Sequence, residues 1–231
     1  MSVVKRNLVQ LYYDTVSPWS FIGYEIIKRY QKRWDCDLEL VPVNLGYVMG
    51  YSGNRPPISV PNKGKYMWDE IERAQKFFGL PLSTPTSFPV NTQTLQQHLD
   101  LVAQSSPSLL TPLTEIYFRA VWQRNLPCKT VEEVLHILDT DDAAKGLWKS
   151  DHDRRESVEQ ATSKEAKERG KTLAKRIVEE EGVFGMPWFN VTRARDGQRM
   201  QFFGSDRFEQ MAAFLEKPYA GPHADGRLSK L

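Results

Sequence analysis

A pair of serines at the start of a predicted helix is the feature of this sequence best suited to chemistry. Ser17 and Ser20 flank Pro18 and Trp19, directly after a predicted strand. Serine is favoured before the first turn of a helix, and proline suits the first helical position. The free N–H groups and the dipole at such a helix end favour an anion. A Ser17 hydroxyl there can donate a hydrogen bond to the thiolate of a bound ligand, or it can merely cap the helix.

Two later segments carry groups that suit a short peptide ligand. Met186-Pro187 precedes a predicted strand. If its peptide bond is cis, Met186 presents its backbone N–H and C=O to an extended peptide. Ser205 and Asp206 offer a hydroxyl, helix-start amides and a carboxylate, which suit the ammonium and carboxylate of an amino acid. An ordinary trans proline and simple helix capping remain the alternatives.

Several other chemistries have no support in the sequence. The four histidines are scattered without ligand spacing, so we expect packing or surface roles and no metal. The dinucleotide, P-loop and nucleophile-elbow motifs are absent. Cys36 and Cys128 lie far apart, which predicts no disulfide framework and fits a reducing compartment. Two hydroxyls cannot form a disulfide, so Ser17 and Ser20 exclude dithiol redox chemistry at their motif.

The elements that must position these groups form a strand–helix–strand unit, a helical block and a final strand–strand–helix unit. In chain order we predict strand 8–13, helix 19–34, strand 38–43, a long loop at 44–64, helices at 66–78, 92–104, 113–124, 131–138 and 150–181, strands 188–192 and 199–203, and a last helix opened by Ser205 or Asp206. Asp196-Gly197 predicts a hairpin between the last two strands. The pattern predicts an α/β fold in which a mixed sheet is interrupted by an all-helical insertion.

Length and charge limit the function classes. The chain has 231 residues, with 31 Lys+Arg, 29 Asp+Glu, and 40% hydrophobic residues. The length suits one large domain with an insertion. A formal net charge of +2 argues against nucleic acid as the main partner. No apolar run approaches the roughly 20 residues of a membrane span, so we expect no membrane insertion.

The C-terminal tail predicts a destination. Ser229, Lys230 and Leu231 match the S-K-L address, which the peroxisomal import receptor reads only at the extreme end of a chain. The preceding residues 221–226 are polar and rich in helix breakers, which favours an accessible tail. We therefore expect residence in peroxisomes, with a mitochondrial or cytoplasmic location as the alternatives.

The sequence resembles kappa-class glutathione transferases, a DsbA-like branch of the thioredoxin superfamily, over nearly its whole length. The resemblance rests on Leu11-Tyr12-Tyr13-Asp14, Ser17-Pro18-Trp19-Ser20, Ser52-Gly53-Asn54-Arg55-Pro56-Pro57, Pro61-Asn62-Lys63-Gly64, Gly185-Met186-Pro187 and Phe203-Gly204-Ser205-Asp206-Arg207, in that order. It implies a thioredoxin-like fold with a large all-helical insertion (DsbA-like). The first thioredoxin-like part then spans residues 1–64, the helical insertion 65–181, and the second part with the tail 182–231.

The resemblance also implies the site and its ligand. It implies glutathione as cosubstrate, a homodimer and no metal. Ser17 is then the catalytic residue, and the glutathione-binding residues are Ser17, Pro18, Trp19, Asn54, Lys63, Met186, Pro187, Ser205 and Asp206. Trp19 is bulkier than the aromatic residue expected at its position, which affects the shape of the electrophile pocket.

The chemistry implied is conjugation of the glutathione thiolate to small apolar electrophiles, typical of detoxification, with glutathione-dependent peroxide reduction as a further activity. A free thiol is only about 3% ionised at pH 7, so the site must lower its pKa. The aromatic and methionine side chains of Tyr47, Met49, Tyr51, Tyr66, Met67 and Trp68 suggest a wall for the apolar cosubstrate. Two other functions stay open: a glutathione-dependent isomerase of the 2-hydroxychromene-2-carboxylate type, and a non-catalytic peptide-binding or chaperone module.

Overall fold

A four-stranded mixed sheet organises the chain in the computed structural model, which describes residues 6–223. In chain order the helices and strands of the described residues are β1 (Asn7–Tyr13), α1 (Pro18–Gln31), β2 (Cys36–Pro42), α2 (Leu45–Ser52), α3 (Pro61–Phe78), α4 (Gln93–Ser105), α5 (Leu110–Trp122), α6 (Val131–Asp139), α7 (Asp151–Gln160), α8 (Lys164–Glu181), β3 (Trp188–Thr192), β4 (Arg199–Phe203) and α9 (Phe208–Leu215). Short 3-10 helices occur at Pro57–Ser59, Pro107–Leu109 and Asp142–Ala144. None of the helices in residues 6–223 is long and apolar enough to cross a membrane.

The sheet order is β2-β1-β3-β4, with β1 and β2 parallel and the other two pairs antiparallel. Leu11 of the central strand β1 pairs with Leu40 on one side and Phe189 on the other. The β3–β4 hairpin turns at Gly197, whose φ of +72° lies in the left-handed region that glycine adopts freely. The predicted βαβ unit, hairpin and thioredoxin-like fold class are thereby confirmed.

The helical segment between β2 and β3 packs onto the sheet and on α1. Phe118 of α5 is fully buried, and its ring centroid lies 5.6 Å from Tyr13, 5.3 Å from Phe21 and 5.8 Å from Tyr24. Truncating a core phenylalanine to alanine typically costs about 3–5 kcal/mol. Between residues 65 and 181 the structure contains helices and no strand, and the predicted helical insertion is confirmed. Helix α3 already begins at Pro61, so it crosses the predicted boundary between residues 64 and 65.

The predicted long loop at 44–64 is wrong, because two helices begin within it. Asn44 caps α2 by accepting a hydrogen bond from Tyr47 N at 3.0 Å, and Gly53 ends this helix with a φ of +72°. Glycines at positions 46 and 50 lower the helix propensity of this segment and concealed it. Capping and tertiary packing override that weak propensity: Val48 is fully buried in a cluster with Ala174 and Ile177 of α8.

Two further predicted helix bounds are wrong. The single helix predicted at 150–181 is broken at residues 161–163, where Ser163 caps α8 by accepting from Ala166 N. The last helix does not begin at Ser205 or Asp206; Arg207 precedes its first residue and makes no side-chain cap. Asp206 pairs with Arg207 instead of capping the helix.

Candidate active site

A cavity of about 890 Å³ opens where the first strand meets the first helix. Its volume lies within the range of sites that hold small organic ligands. Its walls come from the start of α1, from α2 and the segment after it, from the first turns of α3, and from the segments before α4 and β3. The lining residues include Ser17, Pro18, Trp19, Met49, Asn54, Arg55, Lys63, Met67, Thr92, Met186 and Phe203.

Ser17 is the N-cap of α1 and is 5% exposed. Its Oγ accepts a hydrogen bond from Ser20 N at 3.1 Å and donates one to the Met186 carbonyl oxygen at 3.4 Å. The first contact is ordinary capping, so the capping interpretation is correct as far as it goes. The second is long for an O–H···O hydrogen bond, so the Met186 carbonyl oxygen binds the hydroxyl proton only weakly.

The peptide bond between Met186 and Pro187 is cis, as the peptide-binding interpretation requires. Met186 is 5% exposed and lines the cavity. Within residues 6–223 no acceptor is paired with its backbone N–H. That amide therefore retains a donor for an extended ligand lying along the segment.

Asn54 joins the segment after α2 to the segment before β3. Its Nδ2 donates to the Phe184 carbonyl oxygen at 2.8 Å, and its Oδ1 accepts from Arg55 N at 2.8 Å. The two segments approach closely at Gly185, where an added Cβ would lie 2.9 Å from the Phe203 ring and 3.6 Å from Asn54 Nδ2. Only glycine lets this wall close without displacing an aromatic side chain.

The charged groups of the cavity wall are predominantly cationic. Lys63 lies exposed in the first turn of α3 and has no ion pair with any residue in 6–223. Arg55 is also exposed and lines the same wall. Within residues 6–223 the single acidic lining residue is Asp14, which is buried beneath the surface. The cavity thus attracts a ligand that carries more negative than positive charge.

Asp14 is the site residue whose role the sequence did not reveal. Its carboxylate accepts from Val16 N at 2.9 Å, from Leu45 N at 2.7 Å and from the Thr92 hydroxyl at 3.1 Å. It therefore ties the end of β1 to the start of α2 and to the segment before α4. Burial raises the pKa of Asp14 to about 6, and these three hydrogen bonds limit the rise.

Three predicted site residues lie beside the cavity rather than on its wall. Pro187 follows Met186 into β3, and its carbonyl oxygen accepts from Gly204 N at 2.9 Å. Ser205, next in sequence, is 6% exposed, whereas Asp206 is exposed and pairs with Arg207. The structure brings the other six predicted residues together on one cavity: Ser17, Pro18, Trp19, Asn54, Lys63 and Met186.

The apolar wall differs from the one predicted. Of the six predicted side chains, Met49 and Met67 line the cavity, whereas Tyr51 is 46% exposed on α2. Phe184 and Phe203, with ring centroids 4.6 Å apart, supply an aromatic wall that the sequence did not indicate. The segment at residues 88–93, which includes a cis bond before Pro89, was also missed. Tyr47, Trp68 and Tyr66 lie outside this cavity.

No cysteine or histidine of residues 6–223 lines the cavity. Cys36 and Cys128 are buried free thiols, and burial raises their pKa to about 11 and about 12. His98 is fully buried between Tyr117 and Ser157, and burial lowers its pKa to about 3. Across residues 6–223 no cluster of metal-ligating side chains occurs.

Comparison with known proteins gives four matches of note. The DSBA-like thioredoxin domain family matches residues 8–216. The chain is 30% identical to glutathione S-transferase kappa 1 of Homo sapiens over 220 residues, and this aligned region covers 93% of each protein. The corresponding Rattus norvegicus protein is 29% identical over 221 residues, with 94% of each covered. A solved 2-hydroxychromene-2-carboxylate isomerase is 17% identical with a TM-score of 0.70, covering 90% of this chain and 94% of that one, which shows a shared fold.

Proposed function

Because this chain belongs to the DSBA-like thioredoxin domain family and, within it, to the kappa-class glutathione transferases, we propose that Ser17 activates glutathione in the cavity. The chain is a glutathione transferase. The observation that carries the site assignment is the Ser17 hydroxyl, which lies at a helix N-terminus, contacts the Met186 carbonyl oxygen and lines a cationic cavity.

The wall supplies a partner for each polar part of glutathione. This tripeptide carries two carboxylates, one ammonium and a thiol. Lys63 and Arg55 provide the cations for carboxylates, and the Met186 amide pairs with the peptide backbone. Ser205 and Asp206 directly follow Gly204, whose N–H donates to the Pro187 carbonyl oxygen beside the cavity, and they receive the γ-glutamyl end of the ligand. The thiol then lies against Ser17 and the first turn of α1.

Conjugation follows from the lowered pKa of the thiol. The Ser17 hydroxyl donates to the sulfur, and the positive end of the α1 dipole adds to its stabilisation. The thiol proton leaves to solvent. The sulfur lone pair forms a bond to an electrophilic carbon, and the leaving group departs with the bonding pair. Next to the sulfur, the small electrophile contacts the apolar side chains of Met49, Met67 and Phe203.

A conjugation assay with calorimetry tests this function. Purified protein is incubated with glutathione and 1-chloro-2,4-dinitrobenzene while thioether formation and free thiol are followed. We expect conjugate and chloride to accumulate and glutathione to be consumed. Return of all free thiol with a 2-hydroxychromene-2-carboxylate substrate, and no thioether, would indicate an isomerase instead. Glutathione binding without turnover of either substrate would indicate a non-catalytic binding module.

We also propose residence in peroxisomes and a homodimeric assembly. Ser229, Lys230 and Leu231 support the first proposal, and they lie outside the described residues. The kappa-class resemblance supports the second. Light scattering coupled to size-exclusion chromatography tests it: a mass near twice 26.7 kDa is expected, and a mass of one chain contradicts it.

A further inference from the structure

A second, smaller cavity of about 340 Å³ adjoins the first. Its lining residues are Trp19, Pro57, Asn62, Lys63, Tyr66, Met67 and Glu70. Four of them, Trp19, Pro57, Lys63 and Met67, line the larger cavity as well. A shared wall of this kind makes the second cavity an extension of the first, and Trp19 stands on the wall two residues from Ser17.

One face of α3 forms the floor of both chambers. Tyr66, Met67 and Glu70 lie three, four and seven residues after Lys63, which places all four on the same side of the helix. The stripe leads from the cation near the glutathione site, over a methionine, to a carboxylate at the outer end. Tyr66 is 57% exposed, and the Arg73 guanidinium lies 5.3 Å from its ring centroid.

The carboxylate at the outer end has no partner in the protein. Glu70 is half-buried and makes neither an ion pair nor a hydrogen bond with any residue in 6–223. Glu72 on the same helix differs: it is exposed and pairs with Lys76 at 3.0 Å. A carboxylate beside an apolar chamber accepts strong hydrogen bonds from a donor that enters it.

We infer that the second cavity binds the electrophilic cosubstrate, and that this cosubstrate is an aromatic compound with a hydrogen-bond donor at its distal end. The inference rests on the proposed function. Trp19 and Tyr66 offer ring faces and edges to an aromatic body, and the Met67 thioether adapts to its outline. Glu70 accepts from the distal hydroxyl or amino group.

The arrangement lets the two substrates react at the shared wall. Glutathione places its sulfur at Ser17, and the aromatic body extends past Trp19 toward Glu70. With an aryl enone, the sulfur lone pair forms a bond to the β-carbon while the C=C π pair moves to the carbonyl as an enolate. A solvent proton then adds to the α-carbon, which replaces the proton that the thiol released.

Two matched acceptors and four variants test the inference. The acceptors are 4-phenylbut-3-en-2-one and its para-hydroxyphenyl analogue, which differ only in the distal donor. The variants are Glu70→Met and Tyr66→Ala, with Glu72→Met and Tyr51→Ala as matched controls outside both cavities. The measurements are kcat and KM for each acceptor, and the Kd of glutathione by calorimetry.

We expect Glu70→Met to lower the preference in kcat/KM for the hydroxylated acceptor about tenfold relative to the wild type. We expect Tyr66→Ala to raise KM for both acceptors several-fold with the glutathione Kd unchanged. The two control variants are expected to match the wild type.

Three results would overturn the inference. The first is an unaltered preference in Glu70→Met, and the second is an unaltered electrophile KM in Tyr66→Ala. If the wild type still conjugates chlorodinitrobenzene in these cases, the transferase function stands and only the second cavity loses its role. The third is a wild type that binds glutathione but conjugates no electrophile, which removes the proposed function and this inference together.

Discussion

The Ser17 hydroxyl donates to the Met186 carbonyl oxygen across 3.4 Å and thereby joins the start of α1 to the segment before cis-Pro187. These residues are 169 positions apart in the chain. The contact is long, so it costs little to break. A thiolate placed between α1 and this segment offers the hydroxyl a charged acceptor in exchange for a neutral carbonyl, and such hydrogen bonds are roughly twice as strong.

Ser17→Ala is expected to raise the pKa of bound glutathione. The hydrogen bond to a charged group contributes about 1.5–3 kcal/mol, which corresponds to a pKa shift of roughly one to two units. Conjugation at neutral pH should fall about tenfold or more and partly recover at high pH. Thiolate absorbance at the ultraviolet edge, followed against pH with glutathione bound, measures the shift.

Ser20→Ala is the matched control for that shift. Ser20 is fully buried, and its Oγ has no hydrogen-bond partner among residues 6–223. Removing this hydroxyl should leave the thiol pKa unchanged. A pKa shift with Ser20→Ala and none with Ser17→Ala would transfer the activating role. No shift with either would leave the effect to the helix N-terminal amides, with Ser17 as a cap alone.

Asp206→Ala is expected to raise the KM for glutathione several-fold with little change in kcat, since it removes binding that is equal in ground and transition states. Asp206 pairs with Arg207 in the structure, but an exposed pair contributes only about 0–1 kcal/mol. The carboxylate can therefore turn to the ligand ammonium at little cost. Arg207→Ala should leave glutathione affinity equal or tighter. Equal affinity in Asp206→Ala and the wild type would contradict the assignment.

Deletion of Leu231 is expected to leave the protein cytosolic without lowering its stability. Residues 218–222 are held by α1 and the turn that follows it, independently of the last tripeptide. The Trp34 indole donates to the Pro218 carbonyl oxygen at 3.1 Å, and the Arg29 guanidinium donates to that of Pro222 at 2.7 Å. Fluorescence microscopy of the tagged chain and a thermal melt measure the two effects. Peroxisomal import of the deleted chain would require another signal.

The strands and the turn between β3 and β4 could be predicted from local sequence, because their residue patterns are local signals. Both β3 and β4 lie where the pattern placed them. The start of α1 was readable for the same reason, because Ser17 and Pro18 are local signals. The helix α2 was not, because its formation depends on burial of Val48 against α8, about 130 residues away. Local propensity carries no information about such a partner.

The candidate site shows the same limit. The resemblance named Asn54, but its bond to the Phe184 carbonyl oxygen joins segments 130 residues apart. No spacing in the sequence reveals that contact, nor the tilted ring pair of Phe184 and Phe203. The role of Asp14 was hidden because two of the donors to its buried carboxylate, Leu45 N and the Thr92 hydroxyl, come from distant segments.

The Asp14 carboxylate gives the fold a definite pH dependence. Its pKa is about 6 in the folded protein because of burial, against 3.8 for an unperturbed aspartate. Between these two values the folded state binds more protons than the unfolded chain, so this group makes the free energy of unfolding fall as the pH rises. The free energy of unfolding is therefore lower by roughly 3 kcal/mol above pH 6 than below pH 4 through this group.

Asp14→Asn is expected to abolish that loss. The variant also pays a constant penalty of about 1–3 kcal/mol, because an amide NH2 must face one of the donors Val16 N, Leu45 N or Thr92 Oγ1. This penalty does not depend on pH. The change with pH in the stability difference between wild type and variant therefore reports the titration of Asp14, whereas the constant part of that difference does not. Urea unfolding at intervals from pH 4 to pH 7 should show the stability advantage of the wild type over the variant shrinking as the pH rises.

Asp196→Asn is the control of opposite sign. Arg193 lowers the pKa of Asp196 to about 2, so the contribution of Asp196 to the free energy of unfolding is lost only as the pH falls from about 4 toward 2. A constant difference between wild type and Asp14→Asn across pH 4–7 would show that Asp14 keeps an ordinary pKa despite its burial.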